Sequence, residues 1–520
     1  MLPNDRARVI AAAFAVMTGT IANAQETLWT AHGQPTKSGQ DDAFGWAMTA
    51  IGDVDGDGVN DLVVGCPEEN RTRPLRNDGA VYLISGATGV EIRSHVGNPR
   101  DRLGSSLCAV GDVDRDGLLD YAATGDGTVD VVTVWSAKTG AVLWSSAATG
   151  GDDWEGVVWS LPDFDQDGID EVGVAALRLV SGVWEGRLVV LSGASGAFQF
   201  DYQSAVPLDI TSAVNLGDLN GDAIGEFLIG MSQHPGSAEI VDGATLKVIQ
   251  GFSPASNDSF GDAACATGDL DGDGVGDFAV ADRNEGGSWP YTDGRVYVYS
   301  SMTFQELFQL NPTNPASSGF GILPALNDID FNGDGMADIL VGACGFSPLW
   351  LGVGVGYVFS GRNGRLLYEF VSDVPPGFAD EGLGSACAAV DANGDGFGDM
   401  AFGAHLNPTI PKTGGVVHAL AGNDLFLQPN QLEYLPGDAI DVFTRGGEPG
   451  ELTLLAVVDI SGTPTFVQVD LTTLDSFGEA TLSDTAPSGL SGMTFTIEAY
   501  ATRPGRGGLA VSSRVTVAFL

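Results

Sequence analysis

The stretch "GDVDGDGVNDLVVG", residues 52–65, places Asp53, Asp55, Asp57 and Asp61 within nine positions and follows them with an apolar run. Carboxylates that close repel one another, by roughly 1 kcal/mol per pair at about 4 Å in water and several-fold more near a protein surface. The alternating spacing points to a hard cation as the compensating charge. Calcium takes roughly six to eight oxygen ligands, and D-x-D-x-D-G brings every second side chain inward while the Gly permits the sharp turn. An EF-hand would need a bidentate Glu at position 12 and a helix after it. Here that position is Val64, and "DLVVG" is short, β-branched and closed by Gly, which predicts a strand. A dockerin loop fails on the same two counts. The reading is a calcium loop between two strands; for a single copy the alternative is an ion-free Asp-Gly turn.

The stretch recurs. Asp112, Asp114, Asp116 and Asp120 form a second copy, and Asp163, Asp165, Asp167 and Glu171 a third. Asp218, Asn220, Asp222 and Glu226 form the fourth, and Asp269, Asp271, Asp273 and Asp277 the fifth. The last two use Asp330, Asn332, Asp334 and Asp338, then Asp391, Asn393, Asp395 and Asp399. Positions 1, 3, 5 and 9 carry an oxygen side chain in all seven, with Asn only at position 3 and Glu only at position 9. Seven ion-free turns under that restriction are implausible, so up to seven Ca2+ are expected, one per repeat. Ala223 replaces the turn Gly in the fourth copy and makes it the weakest candidate.

The chain has 520 residues, 74 of them Gly, and a formal charge of −45. So acidic a chain should not bind nucleic acid or an anionic membrane through its net field. Seven divalent ions would bring −45 to about −31, so much acidity remains as solvated surface. Residues 1–24 read as a signal peptide: Arg6 and Arg8, an apolar core, then Ala22-Asn23-Ala24 as a cleavage site. No later segment is long and apolar enough to predict a transmembrane helix. The expected location is therefore secreted, cell-surface or periplasmic. Cys108, Cys265 and Cys387 each lie four residues before the first Asp of their loops, and Cys66 and Cys344 just after the following strand. Repeat-equivalent placement favours small buried residues over a disulfide framework.

First-Asp spacings of 59, 51, 55, 51, 61 and 61 residues suit propeller blades. Within each period a first strand, often opened by "FG" or "LG", precedes the calcium loop and a second strand. A variable loop, a third strand such as "GAVYLISGATG" and a fourth such as "AVLWSSA" follow. Four antiparallel strands in each of seven units, without helical periodicity, predict an all-β fold: a seven-bladed β-propeller over 25–424. The seventh repeat lacks its own fourth strand. "ETLWTAHG" at the mature N-terminus resembles "AVLWSSA" and is expected to supply it, with Leu425 to Gln428 as the rival.

The repeats resemble FG-GAP repeats, the units of the integrin α-subunit N-terminal propeller, over roughly residues 26 to 424. The "GAP" half is loose, "GCP" at Cys66-Pro67 being its nearest match. The resemblance implies the propeller fold, calcium loops at the hairpin between the first two strands of a blade, and extracellular recognition of partners. Residues 425–520 lack the loops and alternate strand-like segments with turns, which predicts a β-sandwich of Ig or FnIII type. Asp459-Ile460-Ser461-Gly462-Thr463 is only distantly like the D-x-S-x-S adhesion metal motif, which belongs on an α/β domain.

No nucleophile elbow, H-E-x-x-H, phosphate-cradling loop or His cluster is visible, so no catalytic residues are assigned. The expected function is a non-enzymatic recognition or adhesion module for extracellular protein or glycan. A polysaccharide lyase or hydrolase, or a purely structural envelope protein, are the alternatives. The ligand is expected on the face opposite the calcium loops, where the loops joining second and third strands vary most. Arg71, Arg73 and Arg76 in the first repeat, Trp289 and Tyr291 in the fifth, and Phe346 and Trp350 in the sixth are the residues of hot-spot type there.

Overall fold

The computed structural model describes residues 27–422 apart from 34–41, 70–76, 126, 128–130, 149–151, 182, 204–208, 233–235, 254–258, 284–293, 313–318, 325, 328, 332–334, 345–353, 372–381, 395–397 and 406–414; beyond them it describes the backbone of strands between 426 and 518. The described residues contain no helix. None, therefore, is a helix long and apolar enough to cross a membrane.

Seven antiparallel sheets form the blades of a β-propeller, as the repeat period predicts. Blade 1 runs Met48–Ala50, Leu62–Cys66, Ala80–Ile84 and Glu91–Val96 in sequence order, and the next five blades repeat that order. The second and third strands read as near-continuous apolar runs because both of their faces are covered by neighbouring blades. Leu62–Cys66 and Ala80–Ile84 are buried at every position. The fourth strand, outermost, alternates with solvent, as Val142–Ala147 shows. The fifth sheet gains a short parallel strand, Leu326–Asn327.

Blade 7 closes the ring. Its chain-order strands Leu383–Val390, Asp399–Ala404 and Val416–Leu420 are completed by Thr27–His32 from the N-terminus, antiparallel to the last of them. The rival segment is used elsewhere: Phe426–Pro429 pairs with Ala439–Arg445. Pairing with Thr27–His32 covers the edge of Val416–Leu420, which would otherwise invite edge-to-edge association. Trp29 then latches blade 7 onto blade 1. Its indole Nε1 donates to Gly86 O at 2.7 Å, and its ring lies where a Cβ on Gly89 would sit. Trp144 repeats the latch from blade 2 to blade 3, on Gly193 O and over Gly196.

The "FG" glycines have a packing cause. Gly104, at φ +94°, sets its carbonyl against Gly65 of the preceding blade, where a Cβ would approach to 2.1 Å. Gly403 meets Gly45 O at the same 2.1 Å across the closing joint. The first residue of "GAP" makes this approach, so it is the position of that triplet where packing requires Gly. All five cysteines are buried free thiols, as their repeat-equivalent positions predict. Strands between 426 and 518 form two further antiparallel sheets, one of them built on Leu452–Ile460 and Thr494–Thr502.

Candidate functional site

Each acidic loop joins the first and second strands of its blade, as expected. In the first loop Asp53 Oδ1 accepts from Gly56 N at 2.7 Å and Asp57 N at 3.1 Å, while its Oδ2 accepts from Gly58 N at 2.8 Å. The bonds from the fifth and sixth N–H groups recur at Asp112, Asp163, Asp218 and Asp269, and the bond from the fourth at Asp218 and Asp269. Position 6 must adopt a left-handed backbone to point its N–H at that carboxylate: φ is +95° at Gly58 and +95° at Gly117. Ala223 takes φ +71° and keeps the bond to Asp218 at 2.8 Å, so the fourth loop retains the geometry at the expense of backbone strain.

Position 9 does something the spacing alone does not reveal. Asp61 is fully buried; its Oδ2 accepts from Val54 N at 2.8 Å and its Oδ1 from Gly86 N at 2.9 Å, at the turn after the third strand. Asp120, Asp277 and Asp338 make the same pair of bonds, to Val113 and Ala137, Leu270 and Ser301, and Phe331 and Gly361. Glu171 joins Phe164 N to Gly193 N, and Asp399 joins Asn393 N to Gly422 N. One carboxylate thus ties the loop to the neighbouring turn on the same end of the blade. Burial raises Asp120 and Asp277 to about 6 and Glu171 to about 7, and raises Asp61 and Glu226 likewise, against the lowering effect of these backbone bonds. Asp218, exposed, moves the other way because backbone N–H groups, Ala223 foremost, donate to it.

The structure gathers oxygens around five loops. Asp53, Asp55 and Asp57 offer carboxylate atoms within 4.8 Å of one another, as do Asp112, Asp114 and Asp120; Asp163, Asp165 and Glu171; and Asp269, Asp271 and Asp273. At such a distance each ionised pair costs about 3.5 kcal/mol for an effective dielectric near 20. Asp116 Oδ2 is buried with no hydrogen-bond partner among the described residues, a demand for positive charge that the fold leaves open. The fourth group is Asp222, Glu226 and Asp242. Asp242 was not among the expected residues. It stands where blades 1, 2, 3, 5 and 6 have Ser85, Ser136, Ser192, Ser300 and Ser360, a repeat position at the end of the third strand that the sequence displays. Gln199 was also missed; it donates to Asp165 and Glu171 at 2.8 Å each. Asn332, Asp334 and Asp395 lie outside the described residues, as do Arg71, Arg73, Arg76, Trp289, Tyr291, Phe346, Trp350 and residues 1–26.

Residues 44–84, the first blade's opening strand through its third, match the FG-GAP repeat family. The chain carries an FG-GAP repeat there and resembles the integrin α propeller. Human integrin alpha-X is 34% identical over 110 residues, 19% of this chain and 9% of that protein. Bovine integrin alpha-2 is 35% identical over 103 residues, 18% and 8%. Integrin alpha-4 of Xenopus laevis is 26% identical over 256 residues, 42% and 24%. The chain spans under a quarter of the length of these relatives. A solved structure of BBS1N in complex with ARL6DN superposes with a TM-score of 0.43 at 11% identity, over 79% of this chain and 97% of that one.

The acidic loops gather on one end of the ring. Antiparallel order puts the acidic loops and the turns between third and fourth strands on one end, where the position 9 carboxylates join them. The connections from second to third strand emerge at the other.

Proposed function

We propose that this chain is an exported, calcium-stabilised recognition module that binds an extracellular protein without catalysing a reaction. A leader at 1–24, the propeller at 25–424 and a sandwich at 425–520 are its parts. The observation that carries the reading is the segregation of the ring's ends. On one end, backbone-wired carboxylates converge on oxygen-only sites of the kind calcium takes. At the other, connections of unequal length stand on a rigid closed scaffold. Similarity to integrin α chains supports a protein ligand. When bound, calcium supplies the positive charge that the clustered carboxylates need. Positions 1, 3, 5 and 9 of each loop hold it, with Asp242 added in the fourth.

The test is binding of the purified, calcium-loaded chain to native cell surfaces before and after protease treatment. Saturable binding that protease abolishes is expected. Binding that survives protease but falls to glycosidases would replace protein by glycan. Turnover of a polysaccharide panel, lost on substitution of a carboxylate or His outside the loops, would overturn the non-enzymatic reading.

A further inference from the structure

The third blade departs from the others at the end away from the acidic loops. Its second strand, Glu171–Val180, has ten residues where the other blades have five or six, and it turns directly into Val183–Leu191. Pairing with the fourth strand stops at Leu188–Tyr202, so Val183 to Arg187 project roughly 16 Å further at about 3.3 Å per residue. The register fixes which side chains share a face. Leu177 pairs with Gly186 and Leu179 with Trp184 on one face; Arg178 pairs with Glu185 and Ala176 with Arg187 on the other.

The second face is polar and ion-paired: Arg178 and Arg187 both pair with Asp201, and Arg187 also reaches Glu185 at 3.8 Å. The first face is not. Lower down it packs on blade 4, Leu188 and Val190 lying with Ile210, Ala213 and Phe227. Above that contact Leu179 is 53% and Trp184 51% exposed, a cross-strand apolar pair held in water. At its foot, on the innermost strand, Asp153 pairs with Leu177 and is exposed, and Glu155 follows it, also exposed. Partial desolvation, then the charges of Asp209 and Asp153, push the Glu155 carboxyl above its ordinary value, so these three acids lie near one another. A half-exposed Trp–Leu pair beside crowded acids is complementary to one kind of surface, apolar and positively charged together.

We propose that this face of the hairpin docks a basic segment of the protein partner, an apolar side chain of that segment seating on Leu179 and Trp184 while its Lys or Arg side chains meet Asp153, Glu155 and Asp209. The inference rests on the recognition reading above and gives it a place and a partner chemistry. Trp184 is the anchor and the acids set the sign of the charge accepted.

Short synthetic peptides of constant apolar content, stepped in net charge from acidic to basic, are the probe, titrated against the full calcium-loaded chain. Affinity should rise with positive charge and fall with added salt. The double variant Leu179→Ser, Trp184→Ser should bind the basic peptides at least about tenfold more weakly with an unchanged melt. The triple variant Asp153→Asn, Glu155→Gln, Asp209→Asn should flatten the dependence on charge. Equal affinity for acidic peptides, or undiminished binding by the double variant, overturns the proposal. So does a concentration-dependent dimer that the double variant dissolves, since the occupant is then a second copy, and so does Trp184-dependent binding of a glycan array with no peptide bound. If protease-sensitive cell-surface binding persists in the double variant, the recognition reading stands and only this surface is wrong.

Discussion

Replacing Trp29 by Ala tests how the ring is closed. Trp29 retains 8% exposure, belongs with Met48, Val64 and Ala388 to the buried cluster that spans the joint between blades 7 and 1, and donates its indole N–H to Gly86 O. Truncation removes that contact, leaves the Gly86 carbonyl without the bond and opens a void over Gly89. Buried Trp→Ala changes of this kind cost about 3–5 kcal/mol. The ring of roughly 400 residues, at about 2.1 cal/mol/K each, has an unfolding entropy near 0.8 kcal/mol/K, so about 4 kcal/mol lowers Tm by about 5 °C. Trp144→Ala, which breaks the same latch between blades 2 and 3, should cost the same in the melt. The two should part in limited proteolysis. The strand Val142–Ala147 follows the third strand of its own blade and leads into the next, whereas Thr27–His32 reaches Val416–Leu420 from the far end of the chain. Trp29→Ala should therefore release the N-terminal strand to protease, and Trp144→Ala should release nothing comparable. A Trp29→Ala protein that melts within about 1 °C of its parent and keeps its N-terminus under protease would refute closure by this strand.

Three further outcomes follow from named contacts. Asp61→Ala orphans the buried Gly86 N–H and the half-buried N–H groups of Val54 and Asp55, so it should destabilise by roughly 2–5 kcal/mol even in calcium-free protein, whereas the effect of Asp55→Ala should vanish once calcium is stripped; paired urea titrations decide it. Gly403→Ala drives a Cβ against the Gly45 backbone and should cost about 1–3 kcal/mol or more in the same titration, an undisturbed melt counting against the close approach. The stabilisation that added calcium confers on ion-stripped protein should shrink between pH 7.5 and about 5. Asp120, Asp277 and Glu171 have raised values, so in the ion-free fold they bind protons more readily than the unfolded chain does and gain stability as pH falls through about 7 to 4. His95 and His405, both lowered to about 4 by burial, lose stability over about 6.5 to 4, but equally with and without the ion, so they cancel from the difference. A pH-independent calcium effect, read by differential scanning calorimetry, would contradict this linkage.

The propeller was legible because its signal is repeated. One D-x-D-x-D-G stretch is a turn; seven at blade spacing are an architecture, and a missing fourth strand in the last repeat directs attention to the N-terminus. Less was legible where a side chain serves two masters. Position 9 reads as one more oxygen, yet Asp61 spends both oxygens on backbone N–H groups 7 and 25 residues away, a partnership that appears only when the third strand folds back. Asp242 occupies a repeat column otherwise held by Ser and could have been found by aligning the third strands. The hairpin escaped for a different reason. "RLVSGVWEGRLVVL" alternates across a Ser-Gly turn, so it carries a strand signal on both sides, but from sequence alone variation in this connection reads as loop variation rather than strand extension.

The central claim is that calcium holds the acidic end of the ring together, and the melt of the purified chain with and without the ion tests it most directly. At about 1 mM calcium and a dissociation constant near 0.1 mM, each site contributes RT ln(1 + 10), about 1.4 kcal/mol, and seven sites roughly 10 kcal/mol. At the unfolding entropy used above, that is a fall in Tm of about 12 °C on chelation at low salt, smaller when added salt screens the carboxylates. Coincident melts in calcium and in excess EDTA would contradict the account.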